Sequence, residues 1–581
     1  MASETNDLKQ QAADFYAENK VPERLEEILN SMFFENPKDV YGRLAEYFSG
    51  FAVSPVFAHS NGSEVLDSAG NPAVLCQVYG TVKNHDKLLS EVSMSLDKEM
   101  TNILGQMEGS GDSIPTISEV ATANVSKLTE DLTSKLSGIP LINQLLIDRT
   151  ISDWVNDVER SLSKETETKS NEGSPNRTPT PSSGKKKKAS AKTKTGKPSD
   201  KPVPPKEPLE NRMMGCTSAS VSSLAVAKAA ANCQDKPLFE HLHHSLTMSD
   251  SSEKGVYDIT MPTPAMIVYT GGKTAPGKLN LIKNLFIIGK PNWSSQESCE
   301  KLNKVHKSLG KILSAKASSG VPTGTSGGFQ PTYDKMEQPL DVVLEAINAS
   351  GLTPTQDVFI GLTISAHEIF DYDKGKYEIA TGTLKSADEI CDVYRDALSR
   401  YPAVIMIIDP LRKEDREQWP KLCEAVSEKC FVLGSDHVMG PLHSLTANML
   451  DARNSSGVVI SNGGRVTCSD LARITGDLQA RHRVAVLRSP PGDAAEESYT
   501  DLGVGLGADV VVFGAPCRGE NTARINRLVE IERLIKNNDK FRLQQRSKFT
   551  FPVIKPPPAA PGSDDEPDVI QSSPDFKAKK K

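Results

Sequence analysis

Short apolar runs recur between residues 262 and 516, and helical patterns separate most of them. Each run is almost continuously apolar, which indicates strands that are covered on both faces of a sheet. Repeated strand–helix units over about 250 residues predict a (β/α)8 barrel, with an active site at the carboxyl ends of its strands. The eight predicted strands are 264–269, 285–288, 358–362, 404–408, 431–433, 457–460, 484–487 and 510–513.

Two short amphipathic helices are predicted near the N-terminus, on either side of a break at residues 36–39. Each helix concentrates its apolar residues on one face. Helices this short cannot bury such faces by themselves, so we expect dimerisation, although a helical hairpin packed on the main body would also bury them. The faces are formed by Leu25, Ile28, Leu29 and Met32 in the first helix and by Val40, Leu44 and Phe48 in the second.

The segments around the barrel predict a small α+β domain interrupted by an insert. Two strand-like halves flank a Gly-Asn-Pro turn within 64–79, and helical patterns cover 117–136, 141–162 and 220–232. Low-complexity stretches cannot bury enough apolar area to offset the entropy of ordering them. The predicted domains are therefore 1–52 (helical docking module), 53–162 and 209–260 (α+β domain), 163–208 (disordered basic insert), 261–536 (barrel) and 537–581 (disordered tail).

Composition narrows the protein class further. The 581 residues carry a net charge of −7, no long apolar run and no signal-peptide pattern, so we expect a soluble cytoplasmic protein without a membrane partner. The nine cysteines lack CxxC spacing, which favours reduced thiols over disulfides or a zinc site. The Lys-rich stretch 184–206 has no interleaved aromatic residues, so nucleic acid binding is disfavoured.

The N-terminal segment resembles a known docking module. Its residues Phe15-Tyr16, Val21-Pro22, Pro37, Val40-Tyr41 and 44–48 are similar to the dimerisation/docking domains of the regulatory-subunit and Dpy-30 type. In that family a dimeric four-helix bundle offers a groove to an amphipathic partner helix. The resemblance therefore implies a dimer that binds the amphipathic helix of an anchoring protein.

The rest of the chain resembles the enolase family, through motifs at residues 65–72, 214–239, 326–329, 409–410 and 514–518. The match is most similar to a divergent, sperm-type vertebrate branch of that family. It implies an enolase-type barrel behind a small α+β domain, a dimer, and dehydration of 2-phosphoglycerate to phosphoenolpyruvate in glycolysis. In that reaction a lysine removes a proton next to a carboxylate, Mg2+ neutralises the developing charge, and a glutamate protonates the departing hydroxyl.

Most residues that the resemblance implies for this chemistry are replaced. The three metal-binding carboxylates fall at Thr363, Ile408 and Ser435, so Mg2+ is not expected at the usual site. Asp409 is expected to face away, because successive strand residues point to opposite faces and Ile408 takes the inward position.

The remaining family positions are also mostly changed. The acidic pair of the glycine-rich loop becomes Thr325 and Ser326, and no lysine occurs anywhere in residues 431–535. The other implied positions are Ser461 or Ile460 for the base lysine, Lys283 for the upstream glutamate, Thr274 for a loop histidine, Val512 for a substrate lysine, and Arg488-Ser489 for a retained phosphate-binding pair.

These substitutions lead to three hypotheses. The first is a catalytically impaired enolase that serves as a structural or regulatory subunit in a sperm flagellar assembly, as a homodimer or a heterodimer with other enolase subunits. The alternative is an active phosphopyruvate hydratase that supports glycolysis in sperm, with Lys283 as an unusual base. The third is a sensor of phosphorylated metabolites that uses Arg488 and Ser489.

Overall fold

The computed structural model describes residues 2–96, 115–172, 213–247, 256–317, 320–440, 442, 445, 450–451, 453–461, 465–544 and 546–552. Two architectures dominate them: a small α+β unit and a closed eight-stranded barrel. No helix of this part of the chain combines the length and the apolar character needed to cross a membrane.

Three helices form the N-terminal module, one more than the sequence predicts. They are α1 (Ala2–Glu18), α2 (Val21–Glu35) and α3 (Val40–Ser49). Pro22 lies in the first turn of α2, where its missing N–H costs nothing, and the Asp39 carboxylate caps α3 by accepting from the Gly42 N–H at 2.8 Å. Sequence reasoning missed α1 because few of its residues are apolar.

The α+β unit is built on a three-stranded antiparallel sheet, β1 (Val56–Leu66), β2 (Pro72–Val82) and β3 (His85–Ser95). Its helices are α4 (Ile117–Ser126), α5 (Thr133–Leu136), α6 (Gln144–Glu172), α7 (Thr217–Cys233) and α8 (Leu238–Leu246), with a π-helical turn Lys127–Leu132 between α4 and α5. Helix α6 runs past the end predicted at residue 162, so the prediction that the insert begins at 163 is wrong for its first ten residues. The rest of the predicted insert, 173–208, lies outside the described residues.

The barrel contains all eight predicted strands and is confirmed as a closed barrel. Two short strands outside the barrel, β4 (Tyr257–Thr260) and β16 (Phe541–Gln544), pair in parallel. The barrel strands are β5 (Thr263–Thr270), β6 (Asn284–Gly289), β7 (Val358–Thr363), β11 (Val404–Ile408), β12 (Phe431–Gly434), β13 (Gly457–Ile460), β14 (Val484–Arg488) and β15 (Val510–Phe513). A small sheet after β7 holds β8 (Phe370–Asp371), β9 (Lys376–Ala380) and β10 (Thr383–Lys385).

Helices cover the outside of the barrel. They are α9 (Ser295–Lys316), α10 (Glu337–Ala349), α11 (Ala387–Arg400), α12 (Gln418–Val426), α14 (Cys468–Ala480), α15 (Ser498–Gly505) and α16 (Gly519–Lys536). The short helix α13 (Asp436–Met439) instead follows the carboxyl end of β12 at the barrel mouth.

One barrel strand departs from the predicted repetition of parallel strands. Strand β6 pairs antiparallel with both β5 and β7, whereas the other barrel pairs are parallel. The connection 271–283 contains no helix, and only an antiparallel neighbour can be reached without a crossover. The amino end of β6 therefore lies at the same end of the barrel as the carboxyl ends of the other strands.

The start of the predicted tail belongs to the folded body, so the prediction of disorder from residue 537 is wrong for this part. Strand β16 pairs with β4, and the Arg542 guanidinium bonds the Asp258 carboxylate. Farther on, Phe549 and Phe551 pack against Phe431 at the amino ends of the barrel strands. Sequence reasoning missed this because the apolar run 549–554 is short and lies between a polar stretch and a Pro-rich one. Residues 553–581 lie outside the described part.

A buried carboxylate joins the α+β unit to the barrel. Asp148 on α6 accepts from the Ser223 hydroxyl at 2.6 Å and from both the N–H and the hydroxyl of Ser469 at 2.8 and 2.6 Å. Burial raises the pKa of Asp148 to about 6, against the opposing effect of these donors. Helices α6, α7 and α14 thus meet at one hydrogen-bonded point.

Candidate functional site

The candidate site is the barrel mouth at the carboxyl ends of seven strands and the amino end of β6. Directly below it, apolar side chains fill the barrel, as in other closed barrels of this size. Two positions implied for charged site residues, Ile408 and Val512, belong to this filling. The filling also includes Ala265, Ile267, Phe286, Ile288, Met406, Leu433, Val459 and Val486.

The three positions implied for metal carboxylates lie at neighbouring strand ends. Thr363 and Ile408 are register partners across β7 and β11, and Ser435 follows β12. All three are buried, and the Ser435 hydroxyl donates to the Asp409 carboxylate at 2.7 Å. Mg2+ prefers hard oxygen ligands and usually carboxylates, so a methyl-bearing isoleucine and two neutral hydroxyls do not fit it. Among the described residues, no three His, Cys, Asp or Glu side chains come together as a metal site requires.

The expectation that the Asp409 side chain faces away from the site is wrong, because Asp409 lies past the end of the strand. Strand β11 ends at Ile408, and Asp409 adopts a left-handed backbone with φ of 52°. Its carboxylate is buried and accepts both the N–H and the hydroxyl of Ser435, each at 2.7 Å. The alternation of side chains holds only within a regular strand. One carboxylate therefore reaches the family's metal region from the neighbouring position.

Arg488 at the end of β14 is the main cationic group of the mouth. Burial lowers the pKa of its guanidinium, and the carboxylates of Asp409, Glu368 and Asp436 oppose this effect. With its amide oriented to donate to the Lys283 carbonyl, Asn284 accepts from the guanidinium at 3.3 Å. Three acidic side chains thus surround the arginine that the resemblance implies for phosphate binding.

Lys283 precedes β6 and is engaged with an acidic partner. Its ammonium lies 2.7 Å from the Glu368 carboxylate, which belongs to a 3-10 turn after β7 (Ala366–Ile369). The Lys283 side chain is therefore tied to a carboxylate at the barrel mouth. Sequence reasoning missed Glu368; its position just past a strand end is the signal that points to it.

The glycine-rich loop is fixed by close packing and hydrogen bonds, although it carries Thr325 and Ser326 at the positions implied for acidic residues. Gly327 has φ of +82°, and a Cβ there would lie 3.0 Å from both Ala515 and Cys517. The Ser326 carbonyl accepts a hydrogen bond from the Ala515 N–H at 2.8 Å. The Ser326 hydroxyl lies 2.9 Å from the Thr270 hydroxyl. The loop is therefore held by contacts that do not need the family's carboxylates.

The other candidate positions differ in how far they are buried. Ser489 and Ser461 are buried at their strand ends, and residues 462–464 directly after Ser461 are outside the described part. Thr274 is exposed on the loop between β5 and β6. The mouth therefore brings together Thr363, Ser435, Lys283 and Arg488 with the unpredicted residues Asp409, Glu368 and Asn284.

A contact that sequence reasoning missed holds the loop after β1 against the barrel. The Arg518 guanidinium donates to the Ser68 carbonyl at 2.7 Å, and its Nε lies 2.9 Å from Glu520. The Ser68 N–H in turn faces the Asp493 carbonyl at 3.4 Å. This loop lies within the 65–72 motif, so these hydrogen bonds connect the α+β unit to the barrel.

Comparisons with known proteins agree with this architecture. The family model described as "Enolase, C-terminal TIM barrel domain" matches residues 258–549. A Xenopus laevis protein named "Enolase 4" is 34% identical over 97% of this chain and 98% of its own length. A human protein of the same name is 32% identical over 94% of this chain and 91% of its own length.

The chain belongs to the enolase family. A Methanopyrus kandleri protein named "Enolase" is 31% identical, but over only 55% of this chain and 71% of its own length. The proteins named "Enolase 4" thus match nearly the whole chain, whereas the Methanopyrus kandleri protein matches a stretch only slightly longer than the barrel. Mg2+ is a usual cofactor of the family, and it does not fit the side chains at the usual positions here.

Proposed function

We propose that this chain is a non-catalytic enolase-family subunit that serves a structural or regulatory role in a larger assembly. The observation that carries the proposal is Ile408, a buried hydrocarbon in the barrel filling at a position implied for a metal carboxylate. Removing a proton next to a carboxylate creates a dianion that the metals must neutralise. A barrel mouth without those ligands lacks the means to stabilise it.

The missing lysines add to this argument. Residues 431–535 contain no lysine, so none of the strands from β12 to β15 can supply the family's base or its substrate lysine. Loss of a general base alone reduces rates by roughly 10²–10⁴-fold, and loss of the metals removes several kcal/mol of stabilisation. Both losses act on one transition state, so their effects do not simply add. Each of them would be severe by itself.

The alternative, an active hydratase with Lys283 as the base, requires the Lys283 nitrogen to be free to reach the substrate. The ion pair between Lys283 and Glu368 at 2.7 Å argues against this role. A sensor that uses Arg488 and Ser489 would have to attract an anion beside Asp409, Glu368 and Asp436, which repel it. The arrangement of charges therefore favours the non-catalytic proposal over both.

The second half of the proposal is that the N-terminal module docks the subunit. Within one chain, Ile28 and Met32 of α2 are buried, whereas Leu25, Leu29 and Phe33 stay exposed at i, i+4 and i+8 on another face. A soluble protein rarely leaves such a stripe uncovered. A second copy of the module would cover it and form the groove for an amphipathic anchoring helix. We place the assembly in the cytoplasm of the sperm flagellum, because the sequence resembles the sperm-type branch of the family.

Titration of the full chain with Mg2+ in a calorimeter tests the catalytic half of this proposal. We expect no binding heat at millimolar Mg2+ and no change in melting temperature on adding chelator, because the mouth lacks three converging carboxylates. The matched variant restores the family's ligands by Thr363→Asp, Ile408→Glu and Ser435→Asp, and its heat of binding should rise above that of the parent chain. Submillimolar Mg2+ binding by the parent chain that is lost in Asp409→Asn would contradict the proposal.

A further inference from the structure

A second concave site lies at the opposite end of the barrel from the mouth. Its cavity of about 700 Å³ is lined by Phe431, Val484 and Val510, the first residues of β12, β14 and β15. The segment after β16 forms the other wall, through Arg546, Lys548 and Phe549. Cavities of about 300–1,000 Å³ hold small ligands in other proteins. The family resemblance implies no site at this end.

The charge around this cavity is mainly positive. Arg483, Arg546 and Lys548 line it together with His482, and Asp509 is the one carboxylate among the lining residues. That carboxylate is engaged, because it bonds the Arg546 guanidinium and accepts from the Ala485 N–H at 2.7 Å. It therefore compensates one of the three basic groups, and the cavity keeps a positive excess.

Two arginine N–H groups in this region are buried and unsatisfied. The Nε atoms of Arg483 and Arg546 are shielded from solvent and have no hydrogen-bond partner. Burial also lowers the pKa of Arg483; the Asp451 carboxylate opposes this effect, and neighbouring Arg481 adds to it. Buried polar groups are almost always paired, so each of these orphaned donors costs free energy in the folded chain. An anion with several oxygens is the acceptor that both guanidinium groups match.

The floor of the cavity is aromatic. The Phe549 ring is half-buried and meets Phe431 edge-on, with 6.3 Å between the ring centroids and 76° between the planes. Phe359 holds the same ring from another side at 5.4 Å. The half-buried Phe549 ring lines the cavity with part of its surface, and nucleic acid bases stack on aromatic rings.

We propose that this cavity binds a nucleoside phosphate, with its phosphates on Arg483, Arg546 and Lys548 and its base against Phe549. The volume is too large for inorganic phosphate alone, and guanidinium and ammonium groups pair well with phosphate oxygens. The aromatic floor distinguishes a nucleotide from a plain polyphosphate. The site is independent of the mouth, so it stands or falls separately from the loss of catalysis.

Calorimetric titration of the full chain with ADP tests the proposal. Arg483→Gln and Lys548→Gln should each weaken ADP binding about tenfold, as expected for loss of one charge-assisted contact. Lys548→Gln guards against misfolding, because Lys548 is exposed at the rim. The control Arg395→Gln, on the outer helix α11, should leave the affinity unchanged. Inorganic phosphate should bind at least about tenfold more weakly than ADP, since it reaches fewer donors.

Three results would overturn the assignment. The first is no ADP binding at millimolar concentration, or binding that neither Arg483→Gln nor Lys548→Gln weakens. The second is tripolyphosphate binding as tightly as ADP, which would remove the role of the aromatic floor. The third is tighter binding of a peptide with the acidic sequence of residues 561–570, which would make a carboxylate segment the preferred ligand.

Discussion

The variant Arg524→Met is expected to lower the free energy of unfolding by about 3–5 kcal/mol, the usual cost of removing one partner from a buried ion pair. Arg524 on α16 is 1% exposed, and its guanidinium lies 2.7 Å from the Asp493 carboxylate. It also donates to the carbonyls of Ala494 and Glu496, both at 2.9 Å. Methionine would fill much of the volume but leave Asp493 charged, buried and unpaired. Urea unfolding followed by fluorescence measures the loss.

Two matched variants separate the ion pair from the volume change. Arg533→Met alters an exposed arginine of the same helix and should change the unfolding free energy by less than about 0.5 kcal/mol. The double variant Arg524→Met with Asp493→Leu removes both charges and should recover part of the stability. A loss below about 1 kcal/mol for Arg524→Met would mean that the pair does not hold the loop 492–496 in place.

Docking should be abolished by Leu29→Asp. Leu29 is 54% exposed on α2, between Leu25 at 40% and Phe33 at 81%, so a charge there spoils the stripe without entering the interior of the module. Burying an unpaired carboxylate in an apolar contact costs several kcal/mol, which corresponds to at least about a hundredfold loss of affinity. Fluorescence anisotropy of a labelled amphipathic anchoring helix, titrated with the full chain, measures this loss.

A charge-matched control makes the docking result specific. Asn30→Asp adds the same charge to an exposed polar position of α2 and should leave the affinity within about threefold. Ile28→Asp is unsuitable, because Ile28 is fully buried inside the module and its replacement would unfold the helices. Equal binding by the Leu29→Asp and parent chains would show that docking does not depend on the stripe.

The barrel was predictable from the sequence because each of its strands is a continuous apolar run with little ambiguity. The antiparallel direction of β6 was not predictable, since a continuous apolar run does not show which way a strand runs relative to its neighbours. Asp409 was misplaced for a related reason: alternation predicts side-chain direction only until the strand ends, and the left-handed turn at Asp409 ends it. The part of the second cavity that Phe549 lines was missed because the apolar run 549–554 is short and leads into a Pro-rich stretch.

The candidate site was predictable in its residue types but not in its contacts. The replacements at Thr363, Ile408 and Ser435 follow from motif order alone. The ion pair of Lys283 joins residues 85 positions apart, and no local pattern reports it. Dimerisation, the anchoring helix and the flagellar location remain predictions.

Conversion of 2-phosphoglycerate to phosphoenolpyruvate by the purified full chain tests the loss of catalysis most directly. The assay needs a host whose own enolase has been tagged and removed, and a demonstration that the chain is folded. We predict a rate at the background of the uncatalysed reaction, equal with millimolar Mg2+ and with chelator, and unchanged in Lys283→Ala. Chelator-sensitive turnover far above that background, lost in Lys283→Ala, would contradict the proposal and identify Lys283 as the base.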